Sequence, residues 1–200
     1  MSALADTLRS LAAVFDARGL GWFVFGAQAV AVRGAPRATQ DVDVTLSVRR
    51  HELPDLLTEL AAEGLSHRYP DIADQLLESG AVLPLRHVSG MEVDLVCAGS
   101  GLEALALERA TRVTIDGVEV PVAHATDLVV MKLLAGRGKD LDDARALLAS
   151  GDVDVAEARA LLSQLEEALA RGDLLPRLRE ALDDCGDGHI AAYNGDPICR

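Results

Sequence analysis

The 200-residue sequence has little of what membrane and secreted proteins usually carry. No apolar run approaches the roughly 20 residues that a membrane-spanning helix needs, and the acidic, amphipathic N-terminus does not resemble a cleavable signal peptide. The three cysteines, Cys97, Cys185 and Cys199, match no zinc or disulfide spacing, which favours a reducing compartment. We therefore expect a cytoplasmic protein with no membrane association.

Basic and aromatic residues are also scarce. Nineteen basic residues oppose 32 acidic ones, which gives a formal net charge of −13, and aromatic residues make up 3% of the chain. General DNA binding needs many phosphates to be neutralised, and single-strand-binding surfaces stack bases on aromatic rings. The composition argues against both, although it allows a local basic pocket. Lysine is so rare that Lys132 and Lys139, the two in the chain, stand out.

The hydrophobic half of the sequence is patterned in two ways. Over residues 1–123, helical periodicity is interleaved with short apolar or alternating runs, whereas residues 124–185 show helical patterns alone. We predict an α+β fold with an α/β core over 1–123 and a helical region over 124–185. The polar stretch over 186–200 is predicted to be a flexible tail.

A strand–turn–helix unit near the N-terminus is the first candidate site. The aromatic-rich run over 21–25 predicts a buried strand that ends at Gly26, and the alanine-rich run over 27–33 predicts a short helix. Backbone N–H groups at a helix N-terminus attract anions, and a glycine, which lacks a Cβ, allows a close approach. The unit is therefore a candidate binding site for a triphosphate.

Three aspartates on predicted strands form the second candidate site. Asp41 and Asp43 lie in the strictly alternating run over 41–46, so both carboxylates project from one face of the strand. Asp94 lies inside an apolar strand over 91–97. Like charges repel, but a divalent cation among them makes the arrangement favourable. These residues indicate a Mg²⁺ site suited to phosphoryl or nucleotidyl transfer.

Apolar periodicity and turn residues predict the remaining elements. The predicted helices cover residues 2–18, 52–63, 102–109, 125–134, 140–149, 155–170 and 174–182. Two hairpins are predicted, with a two-residue turn at Ser89-Gly90 and another at Asp116-Gly117. Asp140 and Asp143 are predicted to be capping and surface acids.

In their order along the chain, these motifs resemble the nucleotidyltransferase superfamily. A glycine turn (Gly26-Ala27) precedes an Asp-x-Asp strand (Asp41-Val42-Asp43), and a third aspartate, Asp94, follows on a later strand. The lead-in Arg37-x-Thr39 and the later Lys132…Arg137-x-Lys139 are similar to minimal AbiEii-type enzymes of type IV toxin–antitoxin systems. The resemblance implies a polymerase-β-like mixed sheet with flanking helices, followed by a helical region.

The resemblance also implies a role for each residue. Asp41, Asp43 and Asp94 would be catalytic and would hold two Mg²⁺ ions, and Asp94 would act as, or orient, the base for the acceptor hydroxyl. The residues implied to bind the nucleotide are Gly26, Ala27, Arg37, Thr39, Lys132, Arg137 and Lys139.

Three hypotheses for function remain open on the sequence. The first is a Mg²⁺-dependent nucleotidyltransferase that moves a nucleoside monophosphate from ATP or another NTP to a hydroxyl of tRNA or protein, with a cognate antitoxin as partner. The second is an aminoglycoside-type enzyme, whose cationic acceptor the net negative charge would attract. The third is a non-catalytic nucleotide-binding regulator, suggested by Ala27 where the family commonly has Gly or Ser.

Overall fold

The computed structural model of the protein describes residues 2–34, 39, 41–73, 75–76, 82–99 and 101–184. Arg37 and the predicted tail over 186–200 lie outside the described residues. In the part of the chain that is described, no helix is both long enough and apolar enough to cross a bilayer.

A seven-stranded sheet forms the centre of the fold. Its strands are β1 (Trp22–Phe25), β2 (Asp41–Leu46), β3 (Leu65–His67), β4 (Leu83–His87), β5 (Glu92–Cys97), β6 (Thr111–Ile115) and β7 (Val118–Val122). Their order across the sheet is β3-β4-β5-β2-β1-β7-β6. The β2–β5 and β1–β7 pairs are parallel and the other pairs are antiparallel, so the sheet is mixed. The predicted α+β fold with a mixed sheet is confirmed.

Eight α-helices lie within the described residues. They are α1 (Ala3–Ala17), α2 (Gly26–Val32), α3 (Leu53–Ala62), α4 (Gly101–Arg109), α5 (Ala125–Ala135), α6 (Gly138–Ser150), α7 (Val155–Leu169) and α8 (Leu174–Asp183). Side-chain hydrogen bonds cap the N-termini of two of these helices, α1 and α7. The hydroxyl of Ser2 accepts from the N–H of Ala5 at 3.1 Å, and the carboxylate of Asp154 accepts from the N–H of Glu157 at 2.9 Å.

The described residues divide into two compact units. One contains the described residues of 2–32 and 39–124, and its core includes Phe15, Phe23 and Leu95. The other contains residues 33–34 and 125–184, and its helices bury leucines of their own, such as Leu128, Leu147, Leu162 and Leu178. That these units act as a catalytic core and a separate helical region stays a prediction.

Two local features differ from the sequence-based expectation. Strand β3 was not predicted, because three residues are too few to show an alternating pattern. Four residues, 88–91, separate β4 from β5, rather than the two predicted, and the N–H of His87 donates to the carbonyl of Met91 at 2.9 Å across this loop. The Asp116-Gly117 turn is as predicted, and both of its residues have positive φ, 49° and 78°.

Candidate active site

The glycine turn touches an aspartate of the neighbouring strand. Gly26 begins α2 directly after β1 and has a φ of +66°, a left-handed conformation that suits glycine. The β1–β2 register places Phe25 opposite Asp43. A Cβ on Gly26 would lie 2.6 Å from Cγ and 2.9 Å from Cβ of Asp43. Position 26 therefore needs glycine for two reasons, its backbone conformation and the space that the Asp43 side chain occupies.

Parallel pairing of β2 and β5 gathers four carboxylates. Asp43 lies opposite Asp94, and Asp41 lies opposite Glu92. Neighbouring strands are about 4.8 Å apart, and alternate residues of a strand share a face. We call these four half-buried residues the acidic face. The structure thus brings together the three aspartates singled out in the sequence, and it adds Glu92, which the sequence analysis missed.

Two arginines neutralise one end of the acidic face. Arg68 bridges Glu92 (Nη1–Oε2, 2.5 Å) and Asp94 (Nη2 to Oδ1), while Arg86 binds Glu92 from a second side (Nη2–Oε1, 2.5 Å). The hydrogen bond from Arg86, with the positive charges of both arginines, outweighs desolvation and lowers the pKa of Glu92. Glu92 is therefore ionised at neutral pH.

Thr39 and Ala27 adjoin the acidic face and the turn. The hydroxyl of Thr39 donates to Oδ1 of Asp41, which restricts the orientation of that carboxylate. Ala27, in the first turn of α2, is 4% exposed. The nucleotide-binding roles of both residues, and that of Arg37, stay predictions.

The donor set of the acidic face fits Mg²⁺. Magnesium prefers a few carboxylate oxygens, and Asp41, Asp43 and Asp94 supply them from two adjacent strands. The missing Cβ of Gly26 allows the Asp43 carboxylate to lie directly against the glycine turn. Within the described residues, no three His, Cys, Asp or Glu side chains already converge as a metal site. If the ion binds, Asp41, Asp43 and Asp94 are the residues that would hold it.

In the helical unit, Lys132 lies inside a buried ion cluster. Its Nζ is 2.7 Å from Oδ2 of Asp143 and 3.3 Å from Oδ1 of Asp140, and the residue is 7% exposed. Asp140 also accepts from the backbone N–H of Arg137 at 3.2 Å and from its Nε at 2.5 Å. Lys139, by contrast, is exposed. We call Lys132, Arg137, Asp140 and Asp143 the helical ion cluster.

The burial of Asp140 and Asp143 contradicts part of the sequence-based prediction for these two acids. Asp140 caps α6, as expected, but it is 0% exposed and Asp143 is 5% exposed, so neither is a surface acid. Both lie on the helix face that continues with the buried residues Ala144 and Leu147. Burial raises the pKa of Asp140, but the hydrogen bond from Arg137 and the charges of Lys132 and Arg137 outweigh it, and the net effect is a lowered pKa.

Comparison with known proteins agrees with this geometry. The model of the family described as "Nucleotidyltransferase of unknown function (DUF6036)" matches residues 3–173. The chain belongs to this family. It is a nucleotidyltransferase, and the prediction of such an enzyme is confirmed. A comparison of this nucleotidyltransferase with curated protein sequences finds no significant match.

Solved structures of similar fold include an antibiotic-resistance factor. The solution structure of the antibiotic-resistance factor ANT(2″)-Ia is 15% identical, with a TM-score of 0.59 over 85% of this chain and 95% of that one. The crystal structure of ANT(2″)-Ia in complex with adenylyl-2″-tobramycin is 14% identical, with a TM-score of 0.57 over 84% of this chain and 99% of that one. At these identities, the likeness shows that this nucleotidyltransferase shares their fold.

Proposed function

We propose that the protein transfers a nucleoside monophosphate from an NTP to an acceptor hydroxyl and releases pyrophosphate. The observation that carries this proposal is the contact between Gly26 and Asp43, with Asp94 opposite Asp43 in the next strand. A tight glycine turn that touches one of several clustered carboxylates is suited to holding a triphosphate close to a divalent cation.

The residues of the acidic face divide the chemistry between them. Asp41, Asp43 and Asp94 hold Mg²⁺, which, when bound, neutralises charge that develops on the phosphates. Asp94 accepts the proton of the acceptor hydroxyl. The acceptor oxygen forms a bond to the α-phosphorus as the bond from that phosphorus to the pyrophosphate oxygen breaks. Thr39 restrains Asp41 through its hydrogen bond.

The residues proposed to bind the nucleotide differ in what supports them. Gly26 and Ala27 form the turn, and Thr39 precedes β2, in the same unit as the acidic face. Arg37, Lys132, Arg137 and Lys139 are proposed from the resemblance alone. For Lys132, this role requires the ammonium group to exchange a carboxylate of Asp140 or Asp143 for a phosphate oxygen.

Two classes of acceptor are proposed. The similarity to AbiEii-type enzymes supports a hydroxyl of tRNA or protein, with an antitoxin as regulator. The net charge of −13 supports a small cationic acceptor, and ANT(2″)-Ia, of the same fold, was crystallised with an adenylylated aminoglycoside.

The test compares the wild type with an Asp41→Ala/Asp43→Ala double variant. Each protein is incubated with Mg²⁺, each α-labelled NTP and, separately, total RNA, cell protein or a panel of aminoglycosides. We expect labelling by the wild type alone, with the variant reduced by about 1,000-fold or more, because several kcal/mol of charge stabilisation is lost. The labelled fraction identifies the acceptor class.

The matched control for this assay is Asp55→Ala, which removes an exposed acid of α3 from the same unit. It is expected to label the acceptor like the wild type. Equal labelling by the double variant, or no labelling of any acceptor by the wild type, would contradict the proposed function.

A further inference from the structure

We propose that Arg68 is a positioning residue that orients Asp94 for nucleotidyl transfer, with Glu92 as the second anchor of its guanidinium group. The inference rests on the proposed function, in which Asp94 accepts the proton of the acceptor hydroxyl. It concerns an arginine and a glutamate that the sequence analysis did not single out, and both belong, with Asp94, to the unit that contains the sheet.

Backbone pairing aligns Arg68 with Asp94 across the sheet. Arg68 directly follows β3, and its N–H donates to the carbonyl of Pro84 in β4 at 2.8 Å. In the β4–β5 register, Pro84 lies opposite Asp94. The arginine side chain therefore starts beyond β4 and reaches across it to the acidic face on β5. The short β3 strand, through its pairing with β4, determines this starting point.

The guanidinium group holds two carboxylates at once. One terminal nitrogen bonds Oε2 of Glu92 and the other bonds Oδ1 of Asp94, and the arginine side chain is 14% exposed. A planar guanidinium with fixed donors defines the orientation of each partner, which the point charge of a lysine cannot do. The ring of Tyr69, with its centroid 6.0 Å from Cζ of Arg68, packs against the same group.

This arrangement selects one oxygen of Asp94. The terminal torsion of an aspartate is broad, so either oxygen can face a reactant unless a partner restrains the carboxylate. Arg68 engages Oδ1, which leaves Oδ2 as the oxygen of Asp94 that faces the bound ion and the acceptor hydroxyl. Asp43, directly opposite in β2, would otherwise repel Asp94 into other orientations. A general base acts efficiently only within hydrogen-bond reach of the proton that it accepts, so its orientation affects turnover.

The first test measures steady-state kinetics of the full chain with the acceptor that the labelling assay identifies. We expect Arg68→Ala to lower kcat by about 10- to 100-fold, as the loss of an orienting partner does, with an unchanged KM for the NTP. Arg68→Lys, which keeps the positive charge but not the fixed donors, should recover only a small part of the loss. Arg86→Ala is the matched control, since Arg86 binds Glu92 and its ion pair does not include Asp94. A normal kcat for Arg68→Ala beside an active wild type would overturn the role of Arg68 and leave the proposed function standing.

The second test asks whether Arg68 acts through Asp94. In the Asp94→Asn background, Arg68→Ala should cause no further loss of kcat, whereas two losses that multiply would overturn the proposal. The same four proteins, compared by thermal unfolding, should show coupled rather than additive shifts in Tm. Additive shifts in Tm would show that Arg68 and Asp94 do not interact, whatever the effect on kcat, and would overturn the proposal. A wild type that transfers no nucleotide would instead overturn the proposed function, and the role of Arg68 with it.

Discussion

The acidic face and the helical ion cluster differ in composition and in burial. The acidic face joins four carboxylates on half-buried strand positions, and Arg68 and Arg86 pair with Glu92 and Asp94 at one end of it. The helical ion cluster matches two carboxylates with two cations, and Lys132, Asp140 and Asp143 are all less than 9% exposed. Both clusters contain closely spaced aspartates, so spacing along the sequence does not separate them.

The comparison shows how to tell a site from a structural ion cluster. Closely spaced carboxylates at an accessible position repel one another, and a cation from solution relieves that repulsion. A balanced cluster away from water holds its elements together, and removing one partner leaves a buried charge uncompensated. We therefore expect substitutions in the acidic face to affect activity first and those in the helical ion cluster to affect stability first.

The largest effect is expected for Lys132→Met, which leaves Asp140 and Asp143 without their shared ammonium. The free energy of unfolding should fall by about 3–5 kcal/mol, because breaking a buried ion pair leaves an uncompensated charge. Urea unfolding of the wild type and the variant measures this loss of free energy. Lys139→Met, at the exposed lysine, is the control and should change the free energy of unfolding by less than about 0.5 kcal/mol. If Lys132→Met instead keeps its stability and loses NTP binding, the contrast between the two clusters is wrong.

The second prediction compares alanine substitutions at two glycines of similar backbone conformation. Gly19 (φ +64°) has no atom near the position of an added Cβ, whereas at Gly26 (φ +66°) that Cβ would overlap Asp43. Both alanine variants should lose about 1–2 kcal/mol of stability to backbone strain. Only Gly26→Ala should also lose about 100-fold in kcat/KM, because it displaces Asp43. Parallel measurement of unfolding and turnover checks this, and equal turnover of the two variants would refute the role of the contact.

The smallest effect concerns Asp173 in the helical unit, whose carboxylate pairs with both Arg171 and Arg177. The hydrogen bond from Arg171 lowers the pKa of Asp173 from 3.8 to about 2. Because the folded-state pKa lies below the ordinary value, the stabilisation is complete above about pH 3.8 and is lost as the pH falls toward 2. Asp173→Asn should remove this part of the pH dependence of urea unfolding. In Arg171→Gln, the pKa of Asp173 measured by NMR should rise toward 3.8, and an unchanged pKa would exclude Arg171 as its main cause.

Local patterns predicted most of what lies within one element. Strict alternation identified β2 and placed Asp41 and Asp43 on one face, and the order of motifs added Gly26 and Asp94. The helices of the helical unit followed from apolar periodicity. The capping role of Asp140 followed from an acidic residue near the start of a predicted helix. These features depend on neighbours a few residues away, which the sequence shows directly.

The features of the site that the sequence did not predict depend on contacts between helices and strands. Glu92 had a visible signal, since it alternates with Asp94 in the same strand. Arg68 had none, because its position beside Asp94 results from the register of three strands. Asp140 and Asp143 look like solvated acids until α5 supplies Lys132. Ala144 and Leu147, on the same helix face, were the available sign that these acids are buried.

The contact between Gly26 and Asp43 has a consequence for comparing members of this family. The two positions are separated along the chain, yet the side chain at 43 occupies the volume that any side chain at 26 would need. We therefore expect the two positions to change together among members of the family. A larger residue at the first position should accompany a smaller side chain at the second, because the two would otherwise overlap.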